Sequence, residues 1–262
     1  MKEDRQDLTT GSIWGKMLFF SIPLMLTNLF QVLFNMADIA VIGQFAGSLS
    51  LGAVGSTATL VTLFTGVLIG MAGGINVLVA RYFGAKDKKS TVQTIHTALL
   101  VSLGTGVIVL AFGMLFSRWI LEVMNTKEEL LEGAVLYIRI YFLGMPALAL
   151  YNFGNAVCSA FGDTKKPLYY LSAAGVVNVV LNLFFVIICK MAGVATASII
   201  SQYLSAFLIL RALAKMGGDY ALCMSELKFN RRMAKYIIQI GLPAWLQTGI
   251  FQLANLFIQA GV

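Results

Sequence analysis

The chain lacks the charge that a water-soluble domain carries. Charged residues are 12% of its 262 positions, about half the soluble share of ~25%, while apolar residues are 58% and mean hydropathy is +0.82. A soluble enzyme domain is excluded, and so is a disordered tail, which requires low hydrophobicity. Cysteine is scarce as well: three residues, an odd number with no C-x-x-C pair, support neither a disulfide framework nor a cysteine metal site. A single histidine, His96, has no second histidine or carboxylate in register to make a ligand set or a base, so an interfacial place at the inner mouth of a helix is expected. No G-x-x-x-x-G-K-[ST] loop occurs, so this chain is not expected to use ATP. No Ser/His/Asp set falls within the apolar runs, which disfavours a membrane hydrolase; the chain reads as no enzyme, with no cofactor.

What the chain has in plenty is long apolar runs, at roughly 13–42, 51–80, 94–117, 130–160, 167–189, 191–213 and 234–262. Each reaches the ~20 residues that cross hydrocarbon as a helix. Continuous apolar stretches such as Val176 to Cys189 contradict the alternation of a β-barrel. The first run is too long for a signal peptide and carries Asn28, Gln31, Asn35 and Asp38. The expected fold is all-α, a polytopic membrane helical bundle. Basic residues cluster in the connections: with the amino terminus inside, fifteen of the nineteen Lys and Arg residues lie on the inner side. Arg118, Lys127 and Lys190 fall outside, and Arg139 near the start of the fourth run. Basic connections stay cytoplasmic, so a multi-pass protein of the plasma (inner) membrane with a cytoplasmic amino terminus is expected. These clusters are not interleaved with aromatics on one face, as a nucleic-acid surface would require.

Eleven of the twelve acidic residues lie in termini or connections, which singles out Asp38 as the carboxylate inside an apolar run. An intramembrane acid binds a cation, pairs with a base or takes up a proton, unless it sits in water at the end of its span. At 100° per residue Asn28, Gln31, Asn35 and Asp38 form one stripe, which must face other helices or a cavity. Asn178 and Asn182, four apart, project from one face of the fifth run. A carboxylate with amide oxygens suits Na⁺, or a proton held on the acid, while asparagines alone serve equally as interhelical hydrogen-bonding glue. No other metal is implied. Gly66, Gly70 and Gly74, widened by Gly73, form a small-residue face for close helix packing.

The first and seventh runs resemble each other. Ser21 to Asn35 laid over Gly241 to Asn255 matches Pro23 with Pro243, Leu26 with Leu246, Leu33 with Leu253 and Asn35 with Asn255. Thr248, Gln252, Asn255 and Gln259 repeat the polar stripe. With six runs between them the two copies share an orientation, the parallel-repeat design of many transporters.

The run IPLMLTNLFQVLFNMADIAVIG at 22–43, ARYFGAKD at 80–87, AFGDTKKP at 160–167 and NVVLN at 178–182 together resemble the multidrug and toxic compound extrusion (MATE) family. The resemblance implies two six-helix lobes around a central cavity and export of organic cations or other xenobiotics in exchange for Na⁺ or H⁺. It implies a cation site at Asp38, Asn178 and Asn182, the last standing where some members carry a second Asp. It divides the chain into a six-helix lobe at 1–215, a cytoplasmic linker at 216–235, and the first helix of an incomplete second lobe at 236–262. A second lobe or a second copy is then expected as partner, beside membrane lipid and small organic cations. On this reading Gln31, Asn35, Tyr151, Asn152 and Asn155 line the substrate cavity and the first helix bends at Pro23. Two alternatives stand beside it. A lipid-linked oligosaccharide flippase of the same architecture needs more cationic residues in the spans; a seven-helix receptor or retinal protein conflicts with the inside amino terminus and with the absence of lysine from Trp245 to Val262.

Overall fold

In the computed structural model, residues 13–216, 220, 222 and 227–260 are described. They form α1 (Ile13–Phe45), α2 (Ser48–Gly84), α3 (Lys88–Val123), α4 (Glu128–Phe142), α5 (Met145–Ala160), α6 (Lys165–Ala214) and α7 (Arg231–Ala260), and no strand is present among them. The all-helical expectation holds. Among the described residues four helices are long and apolar enough to cross a membrane, or five if α4 and α5, bent by 45° to each other, are taken as one span.

Local chemistry explains the breaks. Gly47 (φ 86) makes the turn between α1 and α2, a conformation that costs glycine little. The Asp87 carboxylate accepts from Ser90 N at 3.0 Å and caps α3. That bond, with Lys89 nearby, holds the Asp87 carboxyl below the usual carboxylate range. Leu143 and Gly144 separate α4 from α5, and Pro146 stands in the first turn of α5, where a missing N–H costs nothing.

The fifth and sixth runs are the two arms of α6, folded back on each other at the Lys190 that separates them in the sequence. Twenty helical residues cover ~30 Å along an axis, yet Asn178 and Ser198 lie within 3.3 Å. The reversal occurs at Lys190, whose backbone is non-helical (φ 50, ψ −128). Gly193 then packs against the Phe185 backbone, leaving no room for a Cβ.

Two apolar clusters fill the bundle. One gathers Ile75, Leu78, Phe153, Val157, Ile209 and Ile237 toward the end where α2 and α5 finish; the other gathers Ile42, Leu60, Leu121, Ile138, Phe142 and Val194 toward the opposite end. α7 lies antiparallel along α2. A Cβ on Gly70 would meet Trp245 N at 2.8 Å and one on Gly74 the Ile237 carbonyl at 2.6 Å, so the small-residue face is what α7 rests on. α7 begins at Arg231, inside the stretch expected as linker, because Asn230 Oδ1 accepts from Arg232 N and Met233 N and caps it. His96 is not interfacial: its residue is 4% exposed. α3 turns that face toward the bundle, among buried Thr94, Ile95 and Thr97.

Candidate functional site

Three segments meet at Asp38. α1 carries it seven residues before its end, and the hairpin of α6 brings Asn178 and Asn182 from one arm and Ser198 from the other. All four are buried: 5% exposed for Asp38, 4% for Asn178, 0% for Asn182 and 5% for Ser198. Asn182 Nδ2 donates to Asp38 Oδ1 at 2.5 Å, and Ser198 Oγ donates to Asp38 Oδ2 at 2.6 Å. Asn178 joins them, its Nδ2 donating to Ser198 Oγ at 3.3 Å and its Oδ1 accepting from Asn182 Nδ2 at 3.2 Å. Among the described residues no salt bridge to Asp38 is recorded; the acid is held by neutral donors. Tyr137 and Tyr141, stacked at 6.2 Å on α4, lie within electrostatic reach of it.

Such a cluster stabilises the ionised carboxylate by hydrogen bonds worth ~1.5–3 kcal/mol each, against a desolvation cost of several kcal/mol. It leaves one acceptor over: Asn182 Oδ1 is buried without a hydrogen-bond partner. Two carboxylate oxygens, two amide oxygens and a hydroxyl supply the oxygen-only donor set that a hard cation takes, and a proton on Asp38 would find the same acceptors.

Asp38 sits in the wall of a cavity of about 470 Å³ bounded by α1, α2, α4, α5 and both arms of α6. Of the residues expected to line a substrate cavity, Gln31, Asn35, Tyr151 and Asn152 do so. Asn155 does not. One turn past Tyr151 along α5, it lies beyond the lining, with its Oδ1 buried and unpaired. Tyr151 is nearly sealed, its hydroxyl donating to the Pro167 carbonyl at 3.2 Å. Pro23 lies inside an unbroken α1, and the Thr27 hydroxyl donates to its carbonyl at 2.8 Å. The side chains of Thr248, Gln252, Asn255 and Gln259 lie outside the described residues.

Sequence reading missed the far arm of α6. Ser198, Ser201, Gln202 and Ser205 all face the cavity, and their spacing of three, four and seven is the signal of one helix face. Serines in a small-residue run drew no notice because serine is common in membrane helices as packing.

Residues 23–184 match the MatE family. A probable multidrug resistance protein of Bacillus subtilis, YpnP, is 31% identical over 92% of this chain and 54% of its own length. The chain belongs to the MATE family. The multidrug export protein MepA of Staphylococcus aureus is 24% identical over 90% of the chain and 53% of its own length. A MATE crystal structure described as being in the bent conformation superposes with a TM-score of 0.87 at 24% identity, over 95% of this chain and 56% of that one. An outward-facing MATE multidrug resistance transporter superposes with a TM-score of 0.85 at 25% identity. The chain therefore shares the fold of MATE transporters and spans about half the length of the curated relatives it matches. It is a multi-pass membrane protein of a transporter family.

Proposed function

We propose that this chain supplies the first lobe of a secondary antiporter that exports organic cations or other xenobiotics in exchange for Na⁺ or H⁺. The observation that carries this reading is a buried carboxylate, without a basic partner among the described residues, in the wall of a polar-and-apolar cavity. Neutral donors hold the acid charged at a cost that an arriving cation relieves. Asp38, Asn178 and Asn182, joined by Ser198, then form the coupling-ion site. When Asp38 is neutralised, the hydrogen bonds tying α1 to the α6 hairpin weaken, and α1 repacks about Pro23, where the proline already omits one helical hydrogen bond. The cavity changes shape and releases its substrate outward. Phe34, Tyr141, Tyr151, Asn35, Gln31 and Asn152 offer rings and amides in place of fixed charges, a lining that admits varied lipophilic cations. Its described lining contains no Lys or Arg, so a pyrophosphate-linked lipid would find no counter-charge there.

The second half of the path comes from a second lobe or a second copy. We place the protein in the plasma membrane with its amino terminus and basic connections in the cytoplasm, and the stretch at 216–235 between lobes. The test is efflux of a fluorescent organic cation from cells or proteoliposomes containing the protein with both lobes, under an imposed Na⁺ or H⁺ gradient. Asp38→Asn should abolish gradient-driven efflux, by at least ~100-fold, while the protein still inserts and purifies as a single species. Efflux that persists in Asp38→Asn would remove the acid from the mechanism.

A further inference from the structure

We infer that the corner where α3 and α7 begin is a docking surface for anionic phospholipid headgroups, separate from the cavity and independent of how transport is coupled. Four cations, Lys228, Arg231, Arg232 and Lys235, fall within eight residues at the start of α7, and all are exposed. Arg81 at the end of α2 and Lys89 at the start of α3 are exposed beside them. The antiparallel register of α2 on α7, set by Gly70 at Trp245 and Gly74 at Ile237 and Gly241, brings the end of α2 to the first turns of α7.

A specific strap holds the corner together. The Asn230 backbone N–H donates to Thr97 Oγ1 at 3.1 Å, Asn230 Nδ2 donates to Gln93 Oε1 at 3.2 Å, and Thr97 is fully buried. Gln93 lies one turn along α3 from Lys89. Leu222, Met233 and Ile237 are buried in the same cluster, and the Tyr220 ring packs on Phe83 at 5.5 Å and Phe161 at 5.6 Å. The segment that carries the cations is thus fixed to the lobe.

Like charges repel, and cations are disfavoured in a first helical turn by the helix dipole. Helix starts ordinarily recruit Asp or Glu there; neither α3 nor α7 has an acid in its first turn. Of the described acids at this end, Asp87 is occupied capping α3 and Asp163 pairs with Lys166 at 2.6 Å. Among the described residues no acid offsets the repulsion within the cluster, and an external anion would do so. Arg81 and Lys89 stand at the ends of α2 and α3, helices long and apolar enough to cross a membrane, and the cations of α7 lie beside them, so the anions nearest this corner are lipid headgroups. Phe229 (56% exposed) and Tyr236 (40% exposed) sit among the cations, the mixture of ring and charge that suits the headgroup layer rather than open water.

The experiment is native mass spectrometry of the purified full chain in detergent, titrated with phosphatidylglycerol or phosphatidylcholine. Wild type should retain phosphatidylglycerol preferentially, less so at high salt. The quadruple variant Lys228→Gln, Arg231→Gln, Arg232→Gln, Lys235→Gln should lose that retention by about tenfold or more, with phosphatidylcholine unaffected and helicity unchanged. Lys127→Gln with Lys190→Gln, at the opposite end, should retain lipid as wild type does. Thr97→Val keeps every charge and removes the buried half of the strap, leaving the Asn230–Gln93 bond; a drop of about threefold is expected if the corner is a built site. Wild-type retention by the quadruple variant would overturn the proposal. Equal retention by Thr97→Val would overturn the strap's part in it, and displacement of the lipid by millimolar inorganic phosphate would reassign the corner to a free anion.

Discussion

Lys190 holds a backbone conformation (φ 50, ψ −128) that side chains rarely adopt, and the reversal of α6 depends on it. Asn178 reaches Ser198 only because the chain turns there, so one residue's dihedral angles assemble the cluster around Asp38. A non-glycine residue in such a region costs ~1–3 kcal/mol, whereas glycine costs the unfolded chain ~0.5–1 kcal/mol in extra freedom. The strain is the larger, so Lys190→Gly should stabilise the protein by about 1 kcal/mol, seen as a higher midpoint of thermal unfolding in detergent. A fall in that midpoint would mean that the Lys190 side chain contributes more than its backbone loses. Asp38 was legible in the sequence because lipid excludes charge, and one acid in a long apolar run demands a reason. Asn178 and Asn182 were legible from their spacing of four. Ser198 was not: a lone serine in a small-residue run carries no signal until the reversal at Lys190 brings its arm against Asn178. Asn155 shares the helix face of Tyr151 and Asn152 but falls outside the lining because it stands about one turn further along α5.

The pairing of α2 with α7 depends on glycines that differ sharply from one another. A Cβ on Gly74 would meet the Ile237 carbonyl at 2.6 Å and the Gly241 nitrogen at 2.8 Å, both backbone atoms that cannot rotate aside. One on its neighbour Gly73 meets nothing within 4 Å. Gly74→Val should therefore separate the helices at a cost of ~1–3 kcal/mol, and proteolysis in the segment before α7 should accelerate. Gly73→Ala should stabilise α2 by up to ~1 kcal/mol through helix propensity. Similar behaviour of the two variants would show that α7 does not rest on this face. The G-x-x-x-G spacing announced a packing face, and what occupies it became visible only in the fold, since spacing says how near a helix can come but not which one. The fifth and sixth runs part at Lys190 in the sequence as in the fold, because a charged residue between two apolar stretches marks their boundary. α4 and α5 show the converse, where a continuous apolar run conceals a 45° bend at Leu143 and Gly144.

The molecule as a whole is polar along its long axis. One end gathers Lys86, Lys89, Lys166, Arg211, Lys215 and the cations of α7; the other carries Glu122, Glu128, Glu129 and Glu132, with Arg118 bridging Glu122 at 3.0 Å and Glu132 at 2.9 Å. Between the ends the surface is strongly apolar, with Ile108 at 69%, Leu115 at 75% and Ile187 at 78% exposure, as lipid contact requires. This asymmetry was the most legible property of the chain, because it depends on the order of charges and not on how helices pack. It leads to a prediction about orientation. Basic segments resist translocation, so the end bearing Lys228 should stay in the cytoplasm and the α6 turn at Lys190 should face outward. Cys189 is exposed next to that turn and would obscure the result, so the test begins from a variant with all three native cysteines replaced by serine. Lys190→Cys in that background should react with a membrane-impermeant maleimide in intact cells, and Lys228→Cys only after permeabilisation. The reverse pattern would invert the protein in the membrane, and with it the direction in which Asp38 receives its ion. Asp38 lies seven residues before the end of α1 that faces the same side as Lys190, so the proposed orientation loads the acid from outside. That is the side from which an inward gradient of Na⁺ or H⁺ would drive export.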